Sequence, residues 1–240
     1  MRPPISIVRG MQSTLLVFMR YPQPGMTKTR LIPALGATGA AQLSRCLVEQ
    51  TLAQAAPLQQ QAVSVELWFT GASQAQMQAW LGDRVYRSQP DGDLGDRMAA
   101  AFAATLPVVT DAPSVGVCGQ RAVLIGTDCP DLTTAHLVNA FAALADHDLV
   151  LGPAQDGGYY LIGLQRPIPA LFTNIPWGTA TVAQQTLSIA AQLGLVVHCL
   201  PVLGDIDRPA DLAHPFVQTW ATAKGQGPWR EGHRNLHRLP

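Results

Sequence analysis

Residues 122–132 read AVLIGTDCPDL. Four apolar residues run unbroken into Gly126, and a polar segment holding Asp128 and Asp131 follows. A strand with one wet face alternates apolar and polar residues, whereas a strand covered on both faces can be apolar throughout. Residues 122–128 therefore read as a buried strand that delivers Asp128 to its carboxyl edge.

Strand-like and helix-like segments alternate on either side of it. STLLVFM (13–19) and VSVELWF (63–69) are apolar or β-branched runs suited to strands, and RVYRS (84–88) suits a third, short one. Helical spacing runs over 39–56 and 74–81, and QPDGDLGDRM (89–98) turns into an Ala-rich helix to about Thr105. Residues 107–120 read as a Pro/Gly loop. Beyond the central strand comes a helix over 133–146 with Thr133 or Thr134 as its cap, then two strands around a glycine turn in 148–164. A helix over 178–194, stopped by Gly194, precedes a strand at 195–200 and a last helix beginning at RPADLAHPF (208–216). Such alternation predicts a mostly parallel sheet with helices on both faces. Ligands of such sheets bind outside the carboxyl ends of the strands. The loops after Met19, Thr70, Ser88, Asp128 and Leu200 are thereby singled out.

The chain has 240 residues, 48% of them hydrophobic and 13% charged, enough for a substantial core. Sixteen basic and sixteen acidic side chains cancel, so no global field argues for nucleic acid or an anionic membrane as partner. No apolar run approaches a membrane span. Two lysines, Lys28 and Lys224, stand against fourteen arginines, and thirteen aspartates against three glutamates. Many of those aspartates fall in Gly/Pro-rich stretches, a pattern suited to a ligand of metal plus phosphate. Cys46, Cys118, Cys129 and Cys199 form no C-x-x-C pair and read as reduced, mostly buried thiols of a cytoplasmic protein. Residues 1–12 read as an extension, 13–221 as one domain and 222–240, rich in Gly, Pro, His and Arg without periodicity, as a disordered tail.

The loops at the predicted ligand edge carry the chemistry. In YPQPGMTKTR (21–30), Gly25 and the Lys28–Thr29 pair invite comparison with the G-x-x-x-x-G-K-[ST] phosphate loop, but Thr27 precedes Lys28 where that loop needs glycine. Lys28 and Arg30 follow a Pro-Gly turn at the start of a helix, and their mobile ammonium and planar fork both suit phosphate oxygens. A solvated basic turn is the alternative. Asp128, at a strand end, is placed to hold Mg²⁺ or Mn²⁺. Asp131 reads as a turn or capping residue and Cys129 as a packed one. In QDGGYY (155–160), Asp156, Gly157, Gly158 and Tyr159 offer a carboxylate, close approach and a stacking face, or simply a β-turn. In GDIDRPADL (204–212), Asp205 and Asp207 are each open to a capping role or a metal-ligand role before a helix with Pro209 in its first turn. Asp93 and Gly95 belong to a segment suited to a base or ribose pocket, or to a plain helix entry. His198 reads as a core or edge residue of its strand. No Ser/His/Asp elbow is present.

Taken together, PGMTKTRL, GDLGDRM, LIGTDCPDL, GPAQDGGYYLIGL, PWGTATV and DIDRPADL resemble, in order and spacing, the radical-SAM/selenodomain-associated transferases. These are also described as arsenosugar-biosynthesis glycosyltransferases, within the nucleotide-diphospho-sugar transferase superfamily. The resemblance spans roughly residues 13–213. It implies a GT-A fold, a three-layer α/β/α sandwich with a mixed, mostly parallel sheet and the nucleotide over its N-terminal half. It also implies phosphate contacts from Lys28 and Arg30, whose loop Gly25 turns. Asp128 and Asp207 are the implied metal ligands, with Asp205 the less favoured second. Beside Gly157 and Gly158, Asp156 reads as acceptor positioner or base, with Tyr159 and Trp177 lining the acceptor side. The first loop lacks the G-x-G of sugar nucleotidyltransferases, and T-D-C-P-D replaces a strict D-x-D.

Three functions stay open on this reading. One is glycosyl transfer from a nucleotide-diphospho-sugar to a small-molecule acceptor. Another is nucleotidylyl transfer from a nucleoside triphosphate with release of pyrophosphate. The third is a non-catalytic nucleotide binder on the same fold.

Overall fold

The structure, a computed structural model, describes residues 12–106 and 119–223. The expected extension and tail, apart from Gln12, Thr222 and Ala223, lie outside the described residues, as does most of the Pro/Gly loop. Gln12 already belongs to the first strand and Ala223 still to the last helix.

Among the described residues, seven strands and six α-helices follow one another: β1 (Gln12–Arg20), α1 (Ile32–Gln59), β2 (Val63–Thr70), α2 (Gln74–Leu81), β3 (Val85–Ser88), α3 (Leu94–Thr105) and β4 (Gln120–Ile125). Then follow α4 (Thr134–Ala143), β5 (Leu149–Pro153), β6 (Tyr159–Leu164), α5 (Val182–Gln192), β7 (Val197–Cys199) and α6 (Pro215–Ala223). The strands form one sheet of order β3-β2-β1-β4-β6-β5-β7. Only β6 runs against its neighbours, pairing antiparallel with both β4 and β5.

Neighbouring residues of β1 show why the central strands are apolar throughout. Leu15, Val17 and Met19 join one buried cluster with Val48, Leu52 and Leu58 of α1 and Phe141 of α4. Leu16 and Phe18 join the cluster on the other face with Met98 and Phe102 of α3 and Ala190 of α5. Both faces of the sheet are covered, so the side-chain period of two brings neither set to water. A third cluster packs Leu35, Leu43 and Leu47 of α1 against Val217 and Trp220 of α6.

Several elements differ from the expected spans. α1 begins at Ile32, seven residues before the periodic run, and Gly36 (φ 69°) kinks it. With the three-residue 3-10 turn Thr29–Leu31 in front of it, this segment is long and apolar enough to cross a membrane. Half of it is buried within the protein, as expected of a core helix. β4 stops at Ile125, so Asp128 sits on the loop beyond it. α5 starts at Val182 rather than at residue 178. The last helical segment splits into a 3-10 turn, Pro209–Ala213, and α6, because Pro215 can start a helix but cannot continue one. Thr133 caps α4, accepting from the His136 N–H. His198 lies half-buried on the edge strand, its ring 5.2 Å from that of His147. Cys129 is buried but Cys199 is exposed, against the expectation of mostly buried thiols.

At the end of the sheet remote from these strand-end loops, Arg121 is fully buried. Its Nε donates to Ser13 Oγ at 2.9 Å and its guanidinium donates to the Phe141 carbonyl at 2.5 Å, which ties β4 to β1 and α4. Burial pushes its pKa down.

Candidate active site

The loops at the carboxyl ends of β1, β3 and β4 enclose a cleft of about 550 Å³. In the first loop, Thr27 Oγ1 donates to the Tyr21 carbonyl at 3.0 Å and Arg20 donates to the Met26 carbonyl at 3.2 Å. Gly25, at φ 81°, makes the turn between them. Lys28 follows in the left-handed region at φ 50°, uncommon for a residue with a Cβ. Lys28 and Arg30 stand at the start of the helical segment, as expected, but its first turn, Thr29–Leu31, is 3-10 and runs directly into α1.

Lys28 turns inward and leaves its side chain only 4% exposed. Its Nζ lies 2.8 Å from Asp128 Oδ1 and 3.9 Å from Asp207 Oδ1, and donates to the Ile206 carbonyl at 2.5 Å. Arg30 pairs with the other oxygen of Asp207. Lys28, Arg30, Asp128 and Asp207, taken from three loops far apart in sequence, thus meet at one place on the cleft wall. Arg20, Arg97, Gln89 and Leu94 also line this cleft and were not singled out from the sequence. Arg97 stood within a quoted motif and Arg20 directly followed the first strand. Gln89 carried no signal, because its position depends on its side-chain amide, which donates to the Trp68 carbonyl at 2.8 Å.

Asp128 and Asp207 offer only hard oxygen donors, and one cationic atom already lies within reach of both. That donor chemistry fits Mg²⁺ or Mn²⁺, which fill remaining positions with water and phosphate oxygens. Among the described residues no group of three or more His, Cys, Asp or Glu side chains is gathered as a metal cage. The fit is therefore to an ion shared with a ligand.

Neither Asp205 nor Asp207 caps the following turn. Asp211 does so from within it, accepting from the backbone N–H groups of Asp207 at 2.9 Å and Arg208 at 2.6 Å. Both earlier carboxylates are thereby left for other work. Asp131 is a turn residue, one of its two expected roles, and its carboxylate pairs with His214 rather than capping α4. His214 Nδ1 accepts from the Phe216 N–H, so its Nε2 carries the proton and donates to Asp131 Oδ2 at 3.1 Å.

A second cavity, of about 270 Å³, adjoins the first across Leu94, Gly126 and Asp128. Asp156, Gly158, Tyr159, Trp177 and Asp205 line it. Asp156 Oδ1 accepts from the Gly158 N–H at 2.8 Å, which leaves its second oxygen open. Burial, then the Asp156 charge, raises the pKa of Asp205. Tyr159 and Trp177 meet edge to face, with centroids 6.3 Å apart. The Tyr159 hydroxyl points to Met98 Sδ at 3.8 Å, and burial pushes its phenol far up, so it contributes a ring rather than a polar tip. Burial and the Asp205 and Asp128 charges push the Cys129 thiol far up as well, which keeps it a packed side chain and no nucleophile.

Three expected ligand contacts have other occupations. Asp93 is the N-cap of α3, accepting from the Asp96 N–H at 2.9 Å. Gly95 lies under Trp177, where an added Cβ would come within 2.8 Å of the indole and 2.5 Å of the Phe172 carbonyl. The residues of that helix start that line the cleft are Leu94 and Arg97 instead. Gly157 has φ 90°, and a Cβ there would fall 2.1 Å from the Ala180 carbonyl. Its own carbonyl accepts from the Ala183 N–H at 2.9 Å, so Gly157 seats the start of α5.

Residues 51–179 match the family described as uncharacterized proteins conserved in bacteria (DUF2064), and the chain belongs to that family. No curated protein matches it. A crystal structure from Desulfovibrio desulfuricans G20, provisionally described as a nucleotide-diphospho-sugar transferase, is 30% identical. The match covers 94% of this chain and 95% of that one with a TM-score of 0.74. The 4-diphosphocytidyl-2C-methyl-D-erythritol synthase of Anaerococcus prevotii DSM 20548 is 9% identical, covering 90% of this chain and 98% of its own, with a TM-score of 0.56. A CMP:2-keto-3-deoxy-manno-octonic acid synthetase solved with CTP is 13% identical, covering 89% and 99%, with a TM-score of 0.50. The fold of the chain is that of the nucleotide-diphospho-sugar transferases, the GT-A fold expected from the sequence.

Proposed function

We propose that this protein is a transferase with a nucleotide-activated donor, and that it moves a glycosyl group from a nucleotide-diphospho-sugar to an uncharged or cationic small-molecule acceptor. The lining of the smaller cavity carries the choice. It holds Asp128, Asp156 and Asp205 and no lysine, arginine or histidine. Nucleotidylyl transfer would bring an acceptor phosphate against those carboxylates. Like unit charges 4 Å apart repel by about 4 kcal/mol at an effective dielectric of about 20. A hydroxyl acceptor meets no such penalty, and the Tyr159–Trp177 wall gives it an apolar face to lie on.

On this reading the larger cleft takes the donor, with Lys28 and Arg30 on its diphosphate oxygens. An ion such as Mg²⁺ or Mn²⁺, held by Asp128 and Asp207, would supply Lewis-acid neutralisation of the diphosphate. The open oxygen of Asp156 takes the proton of the acceptor hydroxyl. The hydroxyl oxygen bonds to the anomeric carbon as the bond from that carbon to the phosphate oxygen breaks, and its electron pair leaves with the nucleoside diphosphate. Leu94, between the cavities, and Trp177 limit water at the point of transfer.

One observation favours nucleotidylyl transfer as a second reading. Arg20, Lys28, Arg30 and Arg97 all line the donor cleft, a supply of cations that would also suit a triphosphate.

Thermal shifts with Mg²⁺ or Mn²⁺ and a panel of sugar nucleotides and nucleoside triphosphates test the choice, since a ligand of the native state raises the midpoint. Stabilisation by a sugar nucleotide, and release of nucleoside diphosphate with a hydroxyl acceptor, is the expected result. Stabilisation by triphosphates alone, with pyrophosphate released, overturns it.

A further inference from the structure

Lys28 holds a position that phosphate binding alone does not explain. Its ammonium is engaged by oxygens of the cleft wall, and the side chain is only 4% exposed. It sits among oxygens of Asp128, Asp207 and the Ile206 carbonyl. Oxygen donors of this kind are what a hard divalent cation takes. Arg30 neutralises Asp207 from the outside. The two carboxylates are thus matched, charge for charge, by two basic side chains of the same loop.

We infer that Lys28 is the resident cation of the Asp128–Asp207 pair, and that a divalent ion takes its place when the donor binds, releasing the ammonium to the diphosphate. The inference rests on the donor reading given above. The charges balance at each stage. Before binding, Lys28 and Arg30 offset Asp128 and Asp207. Afterwards the two charges of the ion offset the two carboxylates, and Lys28 with Arg30 offset the two negative charges of a sugar-nucleotide diphosphate. No buried charge is left unpaired, a condition that matters because an uncompensated buried charge is costly.

Half of the exchange is unfavourable. An ion alone must expel an ammonium that has no new partner, and a diphosphate alone finds Lys28 already engaged. Each ligand therefore frees the group that the other needs, and by linkage each raises the affinity of the other. Direct contact between ion and phosphate would couple the two as well, so the test removes the lysine and reads the ion alone.

Mn²⁺ binding is measured by titration calorimetry without nucleotide, on wild-type protein and on Lys28→Met. At least tenfold tighter binding by Lys28→Met is expected, and the gain should vanish in Lys28→Met/Asp128→Asn. Equal or weaker Mn²⁺ binding by Lys28→Met overturns the inference. A measurement on unmutated protein covers the case of a variant that does not fold. Lys28 and Lys224 are the two lysines of the chain, so pulse acetylation with peptide mapping resolves them. Acetylation of Lys28 should rise with saturating Mg²⁺ and fall again when inorganic pyrophosphate is added, while Lys224 serves as the internal reference. Unchanged labelling of Lys28 at Mg²⁺ saturation counts against the displacement. If Mn²⁺ binds Lys28→Met more tightly but no sugar nucleotide stabilises the wild type, the displacement stands and the donor reading fails.

Discussion

The backbone N–H of Ile206 donates to the carbonyl of Asp128 at 2.9 Å. That bond joins the loop after β4 to the loop after β7, the two segments that carry the candidate metal ligands. Asp131 and His214 fasten the same two loops a few residues farther out. Asp128 and Asp207 are therefore held in mutual position by backbone and side-chain bonds that involve neither carboxylate. On the inference above, the lysine between them is the group that gives way to the ion.

Asp128→Asn should abolish stabilisation that needs both a divalent ion and a nucleotide. The side chain is about half exposed, so the fold should survive. The check is a thermal-shift titration with Mn²⁺ and the best donor from the panel. Metal-dependent stabilisation equal to wild type would remove Asp128 from the site.

Asp156→Asn should lower turnover about 10²–10⁴-fold, the range for removing a general base. Donor affinity should stay within a factor of two or so, because Asp156 lies in the smaller cavity and outside the larger one. Steady-state kinetics with a hydroxyl acceptor and calorimetry with the donor separate the two effects. A change confined to donor affinity would refute the assignment.

Gly157→Ala should destabilise the protein by about 2–4 kcal/mol, combining a left-handed backbone with overpacking. The residue has φ 90°, and its added Cβ would press on the Ala180 carbonyl. Urea unfolding monitored by tryptophan fluorescence measures the loss. A change below about 0.5 kcal/mol, the range of neutral surface substitutions, would show that the loop yields freely.

Tyr160 predicts a pH dependence. Burial, with a smaller push from Cys129, raises its phenol to about 12 from an ordinary value of 10.0. The neutral form is therefore favoured in the folded state. Its contribution is complete below pH 10 and is lost as the pH climbs from about 10 to about 12. Urea melts across that window should show stability falling more steeply in wild type than in Tyr160→Phe. Below pH 10 the variant should be less stable by about 1 kcal/mol, for the bond its hydroxyl donates to the Pro201 carbonyl. Parallel curves for the two proteins above pH 10 would exclude this origin.

The sheet was legible in the sequence because burial on both faces leaves runs such as LLVF (15–18) and AVLI (122–125) with almost no alternative. The loops were legible in composition: Lys28, Arg30, Asp128 and Asp207 were singled out as separate segments, and the structure brings all four together. Their pairing was not readable, since it depends on which way Lys28 turns within a loop closed by Thr27 and Arg20. Capping of the last turn was misjudged for a similar reason. Both Asp205 and Asp207 precede Pro209, but the donors are reached backwards from Asp211, inside the turn. Gly95 and Gly157 looked like places for a ligand to approach, and in each the close neighbour is the protein's own chain. Sequence shows that a glycine is needed without showing what comes near it.

The reversed direction of β6 has a further consequence. Because it runs against β4 and β5, its first residue, Tyr159, and the turn before it stand at the same rim as the last residues of the parallel strands. The β5–β6 hairpin therefore works as a cassette, supplying Asp156, Gly158 and Tyr159 to the rim without contributing a residue to the lining of the larger cleft. On the proposed reading, rebuilding that hairpin would reshape part of the acceptor side while leaving the lining of the larger cleft unaltered, which makes it a natural place to graft when a new acceptor is wanted.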